Sequence, residues 1–321
     1  MINNESVAAT NMTTAFFCHE IFEAHDTGPG HPERPERLRA IKRVISSSTF
    51  DPLILREAPK STLQQIAMVH DLDYAEKLMD LIPASGWSRI DPDTVMCPET
   101  GEATLRAVGA VIEAVDGVIA GAFDNAFCAV RPPGHHAEPE HGMGFCFFNN
   151  AAIAARHAQQ AHGLERVAIV DFDVHHGNGT QAAFRGDKSV FFASSHQYPF
   201  YPGTGAIDEV GVGNIVNVPL EAGSGSKDFR DGWSSKIFPA LEAFQPEFLV
   251  ISAGFDAHAR DPLASLNLEA EDFSWITRKL LEVSGNKLNG RVISCLEGGY
   301  DLVGLGESVD AHVSELMGFL H

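Results

Sequence analysis

Residues 167–177 read Val-Ala-Ile-Val-Asp-Phe-Asp-Val-His-His-Gly. An unbroken apolar run, Val167–Val170, passes directly into Asp171, Asp173 and His175. A strand without polar alternation is buried on both faces, the habit of parallel sheets covered by helices. The same grammar recurs three times. Ala126–Val130 runs into Arg131-Pro132-Pro133-Gly134-His135-His136, Phe248–Ile251 into Ser252-Ala253-Gly254-Phe255-Asp256, and Val292–Leu296 into Glu297-Gly298-Gly299-Tyr300. In an open parallel α/β sheet, ligands bind outside the carboxyl ends of the strands. Four such strands deliver Asp, His and Tyr to one edge, a set suited to metal-dependent hydrolysis.

Strands are also expected at Thr14–Cys18, Val190–Ala193 and Ile215–Val218. Between the runs, Leu38, Ile41 and Ile45 recur at helical spacing, as do Leu105, Val108, Ile112 and Val115. Phe273, Ile276, Leu280 and Val283 mark another helix, and Val309, Val313, Leu316 and Leu320 the last. This alternation is the signature of βαβ units. No repeat or linker divides the chain, so one domain is expected over residues 14–321, with 1–13 a disordered lead.

That polar lead lacks a charged-then-apolar signal pattern, and no apolar stretch is long enough for a membrane span. Cys18, Cys97, Cys128, Cys146 and Cys295 show no CxxC spacing. Reduced, structural thiols in a cytoplasmic protein are the expectation. The net charge of −20 argues against nucleic acid as a direct partner, since phosphate binding needs clustered Lys and Arg. It would instead attract cationic ligands such as lysine-rich peptides or polyamines.

If the backbone beyond Val170 stays extended, Asp173 and His175 project to one side and share a cation. Asp256, ending a neighbouring run, is the natural third ligand. Imidazole and carboxylate suit Zn²⁺, and a catalytic zinc keeps one position open; Fe²⁺ is a rival on these N/O donors. His135 and His136 point differently and so take unequal roles, each set by the group on its other ring nitrogen. The glycines before Tyr300 let backbone approach the cleft, and its phenol can donate to a developing oxyanion.

These residues resemble the histone deacetylase and acetylpolyamine amidohydrolase family, most closely the class II deacetylases and bacterial deacetylase-like amidohydrolases. The motifs are HDTGPGHPERPERL at 25–38, RPPGHHAEPEHGMGFCFFNN at 131–150, DFDVHHGNGTQ at 171–181, PGTG at 202–205, SAGFDAH at 252–258 and LEGGYDL at 296–302. The resemblance implies an arginase-like fold, a single eight-stranded parallel sheet with helices on both faces. It implies zinc on Asp173, His175 and Asp256, His136 as general base and then acid, and His135, held by Asp171, as its electrostatic partner. Tyr300 would polarise the acyl carbonyl. Some class IIa members carry His there and hydrolyse acetyl-lysine poorly, whereas this chain keeps Tyr.

Asn178 stands where class I members have Asp; a neutral orienter leaves His136 less basic. Structural potassium is implied at Asp171, Asp173 and His175 backbone oxygens with Ser194 and Ser195, and, as a looser match, near Phe184, Asp187 and Val190. Phe145 and Tyr201 align with the aromatic pair of the acyl-lysine tunnel, with Tyr201 replacing the usual Phe. Gly144 would accept from the substrate amide, and Arg37 matches an arginine beside the cavity that handles acetate, although a helix-surface arginine fits the sequence almost as well.

Leu263 follows Asp261-Pro262 where the polyamine-selective relatives carry an acidic gatekeeper, and residues 82–98 are too short for the dimer-forming insertion of bacterial polyamine amidohydrolases. The expected substrate is therefore an acyl-lysine peptide or protein, with a small N-acetylated amine as the alternative and the oligomeric state open. A binuclear arginase-like ureohydrolase would need extra carboxylates after Asp173 and Asp256, which the sequence lacks. A silent acyl-lysine-binding module predicts a damaged ligand set, which is not seen.

Overall fold

The computed structural model describes residues 12–287 and 290–318. Leu320 and most of the expected lead lie outside them. Thr13, counted with that lead, is tied down: its N–H and hydroxyl both donate to Asp124, at 2.7 and 2.8 Å.

Among the described residues, ten strands form in chain order. They are β1 (Thr14–Cys18), β2 (Ile54–Glu57), β3 (Ser88–Arg89), β4 (Val95–Met96), β5 (Asn125–Cys128), β6 (Val167–Asp171), β7 (Val190–Gln197), β8 (Ile215–Leu220), β9 (Phe248–Ala253) and β10 (Val292–Leu296). The short β3 and β4 pair antiparallel. The other eight make one parallel sheet in the order β2-β1-β5-β10-β9-β6-β7-β8. Every residue of β5, β6, β7, β9 and β10 is buried, as unalternating apolar runs require.

Seven strands match the sequence expectation. The eighth, β2, is an edge strand with Leu55 70% exposed, so burial imposes no pattern on it. The run expected to extend to Val130 leaves the sheet after Cys128, because the Val130 N–H turns back to the Cys128 carbonyl at 3.0 Å.

One row of helices, Thr100–Ile119 and Asn150–His162, packs against the central strands. A second row joins Glu36–Ile45, Leu302–Leu316 and Ala270–Lys287. These carry the apolar stripes seen in the sequence, with Leu38, Ile41, Val108, Phe273, Ile276, Val309 and Val313 in the core. All five cysteines are unpaired, and four are buried.

The sheet order places the site. The chain passes from β5 to β6 across β10 and β9, which are inserted later, so the carboxyl ends of β5, β10, β9 and β6 are adjacent. That crossing is a switch point of the kind where α/β sheets open a crevice.

Candidate active site

Asp171 ends β6, and beyond it the backbone bends instead of staying extended. Asp171 Oδ1 accepts from the Asp173 N–H at 3.0 Å, and Asp173 Oδ1 accepts from the His175 N–H at 2.9 Å. Two successive turns closed by aspartate side chains, not a flat strand, bring residues 173 and 175 together. His175 Nδ1 lies 3.1 Å from Asp173 Oδ1 and 3.2 Å from Asp256 Oδ2. The three residues are buried, and their ligand atoms all lie within 4.8 Å of one another.

The supports are backbone amides. Asp173 Oδ2 accepts from Gly298 N–H at 2.8 Å, and Asp256 Oδ1 from Val174 N–H at 2.9 Å. A Cβ on Gly254 would fall 2.1 Å from Asp173 Oδ2, and one on Gly298 would fall 2.1 Å from Asp256 Oδ2. Only glycine leaves room for the two carboxylates to converge.

Burial, reinforced by the neighbouring Asp173 charge, pushes the Asp256 carboxyl up to about 7. Burial opposes charge on His175, but its hydrogen bonds to Asp173 and Asp256 lift its imidazole to about 10. The imidazole nitrogen and both carboxylates face one point, where a divalent cation could take all three. The donor set, two carboxylates and one imidazole, fits zinc or iron(II).

On the opposite side, the His135 and His136 rings lie 4.0 Å apart, centroid to centroid. His135 Nδ1 is 2.9 Å from Asp171 Oδ2. Burial works against its charge, yet the Asp173 and Asp171 carboxylates outweigh it and hold His135 well above its ordinary value. His136 is held well below, by burial and then by the positive potential of His135 and His175. The two imidazoles thus sit in opposite settings, His135 favouring its charged form and His136 its neutral one.

His136 Nδ1 lies 2.8 Å from Asn178 Oδ1, and Asn178 Nδ2 donates to Glu138 Oε1 at 2.7 Å. An ionised Glu138 can only accept, so it holds the Asn178 amino group toward itself and the amide oxygen toward His136. His136 then carries its hydrogen on Nδ1 and keeps Nε2 free.

Tyr300, Phe145, Tyr201, Gly144, Leu263, His136 and His175 line one cavity of about 190 Å³, together with Phe200 and Asp93. This is small beside the ~300–1,000 Å³ of drug-sized sites. Phe200 stacks on His175 at 5.5 Å and Tyr201 meets His136 edge-on at 5.1 Å. Burial, then the nearby Asp256 charge, keeps the Tyr300 phenol protonated, well above its ordinary range.

Arg37 is no surface residue. Fully buried, it donates to the Gly299 carbonyl at 2.6 Å and the Glu297 carbonyl at 2.5 Å, which fixes the loop that carries Tyr300. It also bonds Glu33 at 3.1 Å. Arg131 grips both oxygens of the same carboxylate, with the Nη2–Oε2 contact at 2.7 Å. His25 Nε2 lies 3.6 Å from Glu33, but burial, with Arg131 adding to it, drops that imidazole to about 3, so it is neutral and the contact is no ion pair.

Three supporting acids escaped the sequence reading. Glu297 Oε2 accepts from the N–H groups of Gly134 and His135 at 2.6 and 3.1 Å, tying β10 to the histidine loop. Asp261 accepts from Tyr300 N–H at 2.7 Å and from Leu263 N–H at 3.0 Å. Glu138 is the third. Glu138 and Glu297 are signalled only by the motifs at 131–150 and 296–302, and Asp261 only by the Asp261-Pro262 pair.

Of the residues expected at potassium positions, Asp171 and Ser194 of the first set are set side by side by strand register. Asp171 pairs with Ser194 across β6 and β7, and both Ser194 and Ser195 are buried. Ser195 Oγ accepts from the Trp233 indole N–H at 2.9 Å. The second does not fit a cation. The carbonyls of Phe184, Asp187 and Val190 all accept from Asn214 Nδ2, at 2.8, 2.9 and 2.7 Å. An amide group stands in the ion's place.

Residues 31–316 match the family model described as the histone deacetylase domain. The chain is 40% identical over 309 residues to histone deacetylase 14, chloroplastic, of Arabidopsis thaliana, covering 90% of this chain and 73% of that one. It is 37% identical over 310 residues to the histone deacetylase-like amidohydrolase of Pseudomonas aeruginosa, covering 89% and 81%. A solved structure described as the HDA15 HD domain superposes with a TM-score of 0.90 at 38% identity, covering 96% of this chain and 90% of that one. No described helix is long and apolar enough to cross a membrane.

Proposed function

This chain belongs to the histone deacetylase family and is a hydrolytic deacetylase, and we propose that it removes acetyl groups from lysine side-chain amines of peptides or proteins, with a divalent metal, Zn²⁺ before Fe²⁺, on Asp173, His175 and Asp256. The observation that carries this reading is a narrow cavity lined by His175 of that donor set, by an imidazole held neutral, His136, and by a protonated phenol, Tyr300.

When bound, the cation supplies a Lewis acid that makes water acidic enough to be a nucleophile near pH 7 and polarises the acyl carbonyl. His136 Nε2, freed by the Asn178–Glu138 chain, takes a proton from the attacking water as its oxygen bonds to the acyl carbon. The Tyr300 hydroxyl donates to the carbonyl oxygen as negative charge builds there. His136 then returns the proton to the nitrogen as the C–N bond breaks, leaving acetate and a free amine. His135, held charged by Asp171, steadies the developing negative charge. Phe145, Tyr201 and Phe200 exclude water around an unbranched alkyl stem, and the Gly144 carbonyl would accept from the substrate amide. One structural potassium ion, near Asp171, Ser194 and Ser195, completes the proposal.

Leu263 at the cavity supports acyl-lysine over acetylpolyamine, because that position carries no carboxylate and leaves Asp93 as the one acid in the lining. The test compares kcat/KM of zinc-loaded protein on an acetyl-lysine peptide and on N-acetylputrescine, with a chelator control. At least ~10-fold preference for the peptide, about 1.4 kcal/mol of transition-state energy, is expected. The reverse ratio makes the enzyme a polyamine amidohydrolase.

A further inference from the structure

A second group of metal-competent side chains lies away from this centre. Asp116 sits in the last turn of the helix Thr100–Ile119, and His157 and His162 in the last two turns of Asn150–His162. Both imidazoles aim Nε2 at the same atom, Asp116 Oδ1, each at 2.6 Å. Their rings stand edge to face with centroids 5.6 Å apart. Residues five apart on a helix are not natural neighbours, so this convergence depends on the carboxylate oxygen between them. Among the described residues, these three and the active-site set are the groups whose His and carboxylate atoms gather this closely.

Two Nε2–H groups can share this oxygen through its two lone pairs. With Nε2 unprotonated on both rings, the same three atoms present three lone pairs to one point, which one cation satisfies together. Bond lengths of ~2.0–2.2 Å put tetrahedral ligand atoms about 3.3 Å apart. The set therefore opens by less than ~1 Å on loading, and the Asp116 side chain, 42% exposed, is free to move. The carbonyl-rich ends of two helices meet here, and their dipoles favour positive charge. His157 is nearly buried and His162 partly so, which leaves the solvent side for water.

We propose that Asp116, His157 and His162 form a second metal site, for a late first-row divalent cation such as Zn²⁺, Ni²⁺ or Co²⁺, which clips the two helices together. Two imidazoles and one carboxylate select these ions over Ca²⁺ and Mg²⁺, which require oxygen donors. The clip is separate from the reaction centre. The helix Asn150–His162 starts at the Asn149 cap, whose side chain touches the histidine loop, and a rise of ~1.5 Å per residue puts the site about 10–20 Å further along.

Equilibrium dialysis of the full chain against micromolar Zn²⁺, with elemental analysis, counts bound metal. The His157→Gln/His162→Gln protein is expected to bind one equivalent fewer than the wild type, with the same circular dichroism and the same turnover of an acetyl-lysine peptide. Asp116→Asn, at a more exposed position, is expected to weaken that equivalent at least tenfold and serves if the double variant misfolds. Equal zinc content and affinity in wild type and variants would overturn the site, whatever metal the reaction centre holds.

Discussion

Two buried charge clusters flank Tyr300 and are built on opposite terms. At one, Glu33 is gripped by Arg131 through both oxygens and by Arg37 through one. Burial opposes its charge, but the Arg131 guanidinium, followed by Arg37, holds the carboxyl well below the usual range. At the other, Asp171, Asp173, Asp256 and Glu297 crowd around His135 and His175, and burial pushes both Asp256 and Glu297 up to about 7. The arginine cluster is closed by hydrogen bonds: two guanidinium groups share one carboxylate and give their other N–H groups to backbone carbonyls. The acid cluster is short of positive charge. A buried deficit of this kind marks where a cation belongs, and a cluster whose donors are all satisfied marks a strut.

The contrast is tested most severely by breaking the strut. Glu33→Ala leaves two buried guanidinium groups unpaired and should cost ~3–5 kcal/mol of stability, read by denaturant unfolding. Its pH dependence has a definite sign. A carboxyl whose folded pKa is depressed stabilises fully above its unfolded value, ~4.3, and that stability is lost as pH falls toward the folded pKa. The variant's acid limb should therefore be flatter than the wild type's; an unchanged limb would show that Glu33 is no strut.

Tyr300→Phe should do the reverse, lowering kcat by about 10²–10³, ~2.7–4 kcal/mol, while stability and zinc content hold. Wild-type turnover would remove the phenol from the mechanism. Chelation should then separate the clusters by another route. At ~100 times the dissociation constant, bound metal stabilises by about 2.7 kcal/mol. That increment, measured as a Tm shift between chelator and zinc, should survive weakening of the arginine cluster by Arg37→Lys and shrink in Asp256→Asn. The smallest effect is expected from Glu138→Gln, about tenfold in kcat/KM with intact metal binding. A glutamine can donate or accept, so the Asn178 amide loses its enforced direction.

Much of the acid cluster is legible because strand ends concentrate chemistry: the four apolar runs lead to Asp173, His175, Asp256, His135, His136 and Tyr300, which the structure brings together. The strut is not. Glu33 lies in a Gly/Pro-rich loop that reads as surface, and Arg37 on an amphipathic helix that tolerates an exposed arginine. Their burial comes from partners 98 and 262 residues away, for which no local periodicity exists. Asn214 shows the same limit. Nothing near it in sequence announces that its amide would occupy carbonyls otherwise expected to hold potassium. The turns at Asp171 and Asp173 show a milder one, since the two-residue spacing was right while the extended backbone behind it was not.

Asp261 has a further consequence. One of its oxygens holds the backbone of Tyr300 and the other that of Leu263. Two residues that line the cavity, Leu263 and Tyr300, thus hang from a single carboxylate, as two arms hang from one pivot. Remodelling the Leu263 arm to admit a bulkier or more basic substrate would tilt the other arm as well. Selectivity and turnover in this enzyme should therefore drift together under directed evolution, and mutations that restore speed after a change of specificity should gather around that pivot.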